Sequence, residues 1–127
     1  MNTPSSAESV RRAARDPVRE AKRWYWQRIS AIALTLCVLA HLGMIVYAVH
    51  SGLSGAALLA RTRGNLAFGV FYVVFVAACA VHVPLGLACV AEEWLGWAPR
   101  VASAVARALM GILAALGLIA VYAMVIG

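Results

Sequence analysis

The sequence predicts an all-α integral membrane protein with three transmembrane helices and an N-terminal cytoplasmic helical extension. Three observations carry that reading. First, 64% of the 127 residues are hydrophobic and only 13% are charged, too apolar a balance for one small water-soluble core. Second, the apolar residues fall into three long runs, ISAIALTLCVLAHLGMIVYAV (29–49), LAFGVFYVVFVAACAVHVPLGLACVA (66–91) and VASAVARALMGILAALGLIAVYAMVIG (101–127). Third, aromatic residues stand at the run ends, Trp24, Tyr25 and Trp26 before the first and Trp94 and Trp97 after the second, where interfacial belts belong.

A helix rises about 1.5 Å per residue and needs roughly 20 residues to cross the hydrocarbon core, so each run is long enough. Helix is also the only form in which one segment satisfies its own backbone hydrogen bonds in lipid, a closed barrel aside. The domain reading is a basic cytoplasmic segment over 1–23 and a three-helix transmembrane domain over 24–127, with helices at about 24–50, 66–92 and 101–127. Ahead of the first run, Asp16-Pro17 forms a helix start with Asp16 as N-cap, and Ser5 with Glu8 makes a weaker capping box. The first helix therefore starts near Pro17, passes through the interface and continues to about Val49. Residues 1–5 read as disordered. The apolar run that follows is too long, and lacks the small-residue cleavage site, for a removable signal peptide. Between the first two runs, SGLSGAALLARTRGN (51–65) has turn residues at both ends and an apolar middle, consistent with a short surface helix.

The net charge of +6 is a topology signal. Arg11, Arg12, Arg15, Arg19, Lys22, Arg23 and Arg28 precede the first run, Arg61 and Arg63 lie in the loop after it, and Arg100 and Arg107 follow the second run. The positive-inside rule places the N-terminus and the 92–100 loop in the cytoplasm and the C-terminus outside. No base-reading module accompanies these cations, so nucleic acid is not an expected partner. The cysteines, Cys37, Cys79 and Cys89, lie inside apolar runs with no CxxC pair, which argues against a disulfide framework or zinc site. No nucleophile–base pair and no dinucleotide fingerprint is visible, so any chemistry belongs to a cofactor.

The stretch VHVPLGLACVAEEW (81–94) holds the sharpest functional signal. His82 sits about ten residues from the nearest charge, and intramembrane ionisable groups are functional candidates. Its helical stripe contains Ala78, Gly86, Cys89 and Glu93. Small residues one turn to either side leave a flat slot of the kind a porphyrin held by that histidine needs. Pro84 removes a backbone hydrogen bond and can widen the gap. The plainer alternative is a histidine hydrogen-bonded to a neighbouring helix. His41 is the second candidate. Counted from Arg28 and Glu92 as cytoplasmic edges, His41 and His82 lie roughly 20 Å and 15 Å deep, close enough for one chain to ligate haem from both sides. Its neighbours Cys37, Met44 and Ile45 are bulkier, which favours a structural role. His50 reads as solvated. In the third run, Arg107 reads as a cation that snorkels to the headgroups, with a contact to a haem propionate as the alternative. Ala104, Ala108, Gly111 and Ala115 form a small-residue face suited to close helix packing.

The string His82-x-x-x-Gly86 followed by Glu93-Trp94, with Gln27-Arg28-Ile29-Ser30-Ala31 opening the first helix, resembles the small cytochrome b anchor subunits of succinate dehydrogenase and fumarate reductase. Chain length, helix number and orientation match, so the resemblance covers nearly the whole chain, though its motifs are short. It implies that His82 is an axial ligand of haem b beside Gly86, with His41 as a within-chain alternative for the second ligand. It implies that Arg28 lies near the haem propionates and the quinone, that Ser30 is a quinone-side hydroxyl, and that Glu93 and Trp94 line the quinone mouth. Members often have tyrosine where Trp94 stands, and some have histidine where Gln27 stands. An indole donates one hydrogen bond and accepts none, which sets Trp94 apart. The implied partners are a flavoprotein subunit with FAD, an iron–sulfur subunit with its clusters, and a second membrane anchor or second copy of this chain. The implied location is a bacterial inner membrane, and the implied role is electron transfer to or from quinone in respiration or the tricarboxylic acid cycle. A haem-free scaffold, assembly or transport component stands as the alternative.

Overall fold

The computed structural model describes Ser6 and residues 17–127, and the described residues outside the turns are helical throughout. Four helices follow in order: α1 (Pro17–His50), α2 (Gly55–Thr62), α3 (Leu66–Glu93) and α4 (Pro99–Val125). The three long helices, α1, α3 and α4, are long and apolar enough to cross a membrane. They agree with the three runs read from sequence. Asp16 as a cap and the Ser5–Glu8 box fall outside the described residues, as do residues 1–5.

Local chemistry explains each boundary. Ser54 caps α2, its Oγ accepting from the Ala57 amide at 3.3 Å, and Asn65 caps α3, its Oδ1 accepting from the Ala67 amide at 3.0 Å. Pro99 occupies the first turn of α4, where its missing N–H costs nothing. Gly64 (φ +69°) and Gly96 (φ +65°) adopt the left-handed backbone that the two turns into α3 and out of it require. The Gly64 amide also donates to the Val125 carbonyl at 2.9 Å, joining the start of α3 to the end of α4.

The three long helices make a row with α3 in the middle, and both α1 and α4 pack against it. One face of α3 presents Ala80, Pro84, Ala88 and Ala91, which are buried. Of these, Ala88 clusters with Ala102 and Ala106 of α4, which are buried as well. A Cβ added to Gly117 of α4 would run into the Val76 side chain, so this glycine is a point of close helix approach. The opposite face of α3 meets α1. Pro84 does not interrupt α3 and is fully buried, on the stripe that faces α4 rather than beside His82. The packing face of α4 also differs from expectation. Ala104, Ala108, Gly111 and Ala115 are exposed, while Ala102, Ala106 and Gly117 pack on α3.

Candidate functional site at the α1–α3 seam

The inward stripe of α1 repeats at intervals of three and four: Arg23, Gln27, Ser30, Leu34, Cys37, His41, Met44 and Ala48 are each buried or half-buried. Every polar residue that α1 brings to α3 lies on this stripe. Against it α3 sets Phe75, His82, Gly86, Cys89 and Glu92, so the seam is a ladder of facing pairs.

At the loop end, the Arg23 guanidinium donates to the Glu92 carboxylate at 3.1 Å and lies 3.6 Å from the Cys89 sulfur. About one turn deeper along α1, Gln27 lies over Gly86, where a Cβ would stand 3.1 Å from Gln27 Nε2. The Gln27 Oε1 is buried and has no hydrogen-bond partner among the described residues. The small residues beside His82 therefore admit α1 itself. The slot expected to lie open for a porphyrin is occupied by the Gln27 side chain.

The next pair is Ser30 and His82. The Ser30 hydroxyl, buried to 5% exposure, donates its single proton to the backbone, to the Trp26 carbonyl at 2.6 Å with Gln27 at 3.1 Å as the second acceptor. Its remaining contact, with His82 Nδ1 at 3.4 Å, must therefore be one in which the imidazole N–H donates and the serine oxygen accepts. A proton on Nδ1 suits this contact, and Nε2 then has no part in it. A neutral imidazole whose second nitrogen is hydrogen-bonded is the donor a metal requires, so His82 fits an axial ligand of haem in its chemistry. Among the described residues no group of three or more His, Cys, Asp or Glu forms a metal cluster, and His82 stands as a single donor.

His41 lies elsewhere. Its ring contacts the edges of Tyr72 and Phe75 at centroid separations of 5.9 and 5.8 Å, and its Nδ1 is buried without a hydrogen-bond partner among the described residues. Since Arg23 meets Glu92, and His41 is 18 residues from the one while His82 is 10 from the other, the histidines differ in depth by about 12 Å. The expectation that they lie within about one helical turn of each other is corrected: within a chain they do not face a common iron.

The remaining candidates lie off the seam. Arg28 is exposed and stacks over Trp24, 5.0 Å from the ring centroid. Glu93 is exposed and Trp94 is 84% exposed, so neither joins Arg28 or Ser30 in a closed pocket of this chain. Ser30 faces His82 and not the mouth. Sequence reasoning passed over Arg23, grouping it with the topology cations, although it lies two turns before Ser30 on the same stripe. Arg107 is exposed, as a snorkelling cation requires.

Residues 3–123 match the family model described as the succinate dehydrogenase/fumarate reductase transmembrane subunit. No curated protein and no solved structure matches the chain.

Proposed function

The chain belongs to the succinate dehydrogenase/fumarate reductase transmembrane subunit family, and from that premise we propose that it is the haem b-binding anchor of such a complex. It holds a flavoprotein and iron–sulfur pair at the cytoplasmic face of a bacterial inner membrane and lets electrons pass to or from quinone. The observation that supports this most is the Ser30–His82 contact, which leaves one imidazole nitrogen free for ligation deep in an apolar segment. Haem b, when bound, supplies a one-electron carrier between the iron–sulfur clusters and quinone. Ser30 orients the His82 ring and holds its Nδ1 proton. Gly86 keeps the adjoining surface flat, and Gln27 swings aside, since its contact with Gly86 is made by the far end of a flexible side chain. This chain offers one histidine at that level, so any further protein ligand to the haem would have to come from a partner anchor or a second copy.

Quinone binding is assigned to the mouth beside Arg28, Glu93 and Trp94. Their exposure means that a neighbouring subunit must close the pocket around them. Ser30 belongs to this site only through His82. The N-terminus is placed in the cytoplasm on the strength of the clustered cations. A reporter fused at Gly127 tests this: activity in the cytoplasm alone reverses the orientation.

A second reading has an observation of its own. Gln27 over Gly86 completes the helix packing without haem, as a haem-free anchor would require. Spectroscopy of the purified complex separates the two. The haem reading expects a reduced b-type spectrum with two axial imidazoles, abolished or severely altered by His82→Ala. An active complex with no haem returns His82 to the role of a buried hydrogen-bond donor.

A further inference from the structure

At the opposite end of the molecule from Arg23 and Glu92, α1, α2 and α3 leave a cleft of about 440 Å³ between them. Its walls are apolar, with Met44, Leu58 and Phe68 among them, and His41 sits at the inner side with its buried Nδ1 unpartnered. Arg61 and Tyr47 stand at the rim, where Arg61 and Ser51 lie beside the Tyr47 hydroxyl. Among side chains, the charge pattern around this rim is one-sided. Arg61 and Arg63 are the only Lys or Arg between residues 29 and 99, and no Asp or Glu occurs between residues 21 and 91. No side-chain carboxylate of this region is therefore available to neutralise Arg61, which is exposed.

The rim lies where α1 ends and α3 begins, the level at which lipid headgroups meet the hydrocarbon core. A cation with hydroxyls at that level, above an apolar cleft, repeats the order of groups in a phospholipid: anionic phosphate, then acyl chain. We propose that this cleft binds one anionic phospholipid from the leaflet on the Arg61 side, its phosphate on Arg61 and Tyr47 and an acyl chain along Leu58. His41 lies six residues inward from Tyr47, about 9 Å along α1, where its ring nitrogen meets a lipid ester carbonyl. The site is separate from the His82 level and does not depend on whether haem is bound.

The test uses the membrane complex that contains this chain, extracted in mild detergent and depleted of free lipid. Dioleoyl phosphatidylglycerol is titrated in and counted by native mass spectrometry, with dioleoyl phosphatidylcholine and inorganic phosphate as comparison arms. One phosphatidylglycerol per chain is expected, held about fivefold more tightly than phosphatidylcholine, the discrimination one surface cation provides. Arg61→Gln should bring the two lipids level, and Leu58→Trp should weaken both, with circular dichroism and subunit composition unchanged in each variant. Equal retention of the two lipids by the unaltered protein, or preference unaffected by Arg61→Gln, overturns the proposal. Displacement of the lipid by inorganic phosphate at equal concentration also overturns it, because the acyl chain would then contribute nothing. A photoreactive benzoylphenylalanine in place of Leu58 gives a second measurement that needs no loss of function. Crosslinking to lipid supports the assignment, and crosslinking to a polypeptide assigns the cleft to a partner subunit instead.

Discussion

At one end of the α1–α3 seam, Arg23, Gln27 and Ser30 meet Glu92, Gly86 and His82; at the other, His41 meets Tyr72 and Phe75 and opens onto the cleft under α2. Both ends place a histidine on the inward stripe of its helix. They differ in what surrounds the imidazole. His82 has a hydroxyl acceptor that fixes its proton, whereas His41 has aromatic edges and a nitrogen with nothing to bind. A membrane histidine is thus defined by its second nitrogen as much as by its depth. On the readings proposed above, the oriented ring suits a metal and the one beside the cleft suits a hydrogen-bonding ligand.

The largest expected effect is the contrast between the histidines themselves. His82→Ala should remove the b-type spectrum of the complex, and His41→Ala should leave it nearly unchanged. Loss of the spectrum in both variants would erase the distinction. A smaller effect is expected at the hydroxyl. Ser30→Ala leaves the His82 N–H without its acceptor, which should loosen haem by about 10–100-fold. In haem-free protein the same change should lower stability by about 1–3 kcal/mol, read from denaturant unfolding. Haem retention equal to that of the unaltered protein would show that the 3.4 Å contact does not orient the ring. The smallest effect lies at the rim of that end. Arg23 and Glu92 are partly exposed, with side chains at 34% and 14%, so a double-mutant cycle should give a coupling of about 1 kcal/mol or less that fades with added salt.

Much of this architecture was legible in the sequence because lipid imposes so few choices. Length and polarity fix three spans, and the turn residues Ser54, Gly64, Asn65 and Pro99 sit where helices begin or end. The packing faces were less legible. In a helix apolar all round, hydrophobic periodicity does not distinguish a buried side from a lipid-facing one. Ala104–Ala115 and Ala102–Gly117 are both small-residue faces, and the burial of Ala102 and Ala106 with the Val76 contact of Gly117 shows which one meets α3. The depth of His41 was misjudged for a definite reason. Counting began at Arg28 as the level of Glu92, but the ion pair forms at Arg23, five residues earlier, which moves the scale by about 7.5 Å. The His82 stripe was read from its own helix alone. That reading found the small residues beside the histidine but not the glutamine that α1 sets against them.

The hydrogen bond from Gly64 to Val125 has a consequence for biogenesis. The turn that launches α3 is synthesised early, yet its amide acceptor belongs to the last turn of α4. While the ribosome is still making the third span, that turn is held only by its local caps, and α3 has α1 alone for company. Arrival of Val125 then closes the circuit, tying the nascent hairpin of α3 and α4 at its open end. A C-terminal truncation that removes Val125 would thus act on a turn translated long before it, leaving α3 and α4 packed at Ala88, Ala102 and Gly117 but unfastened at that end.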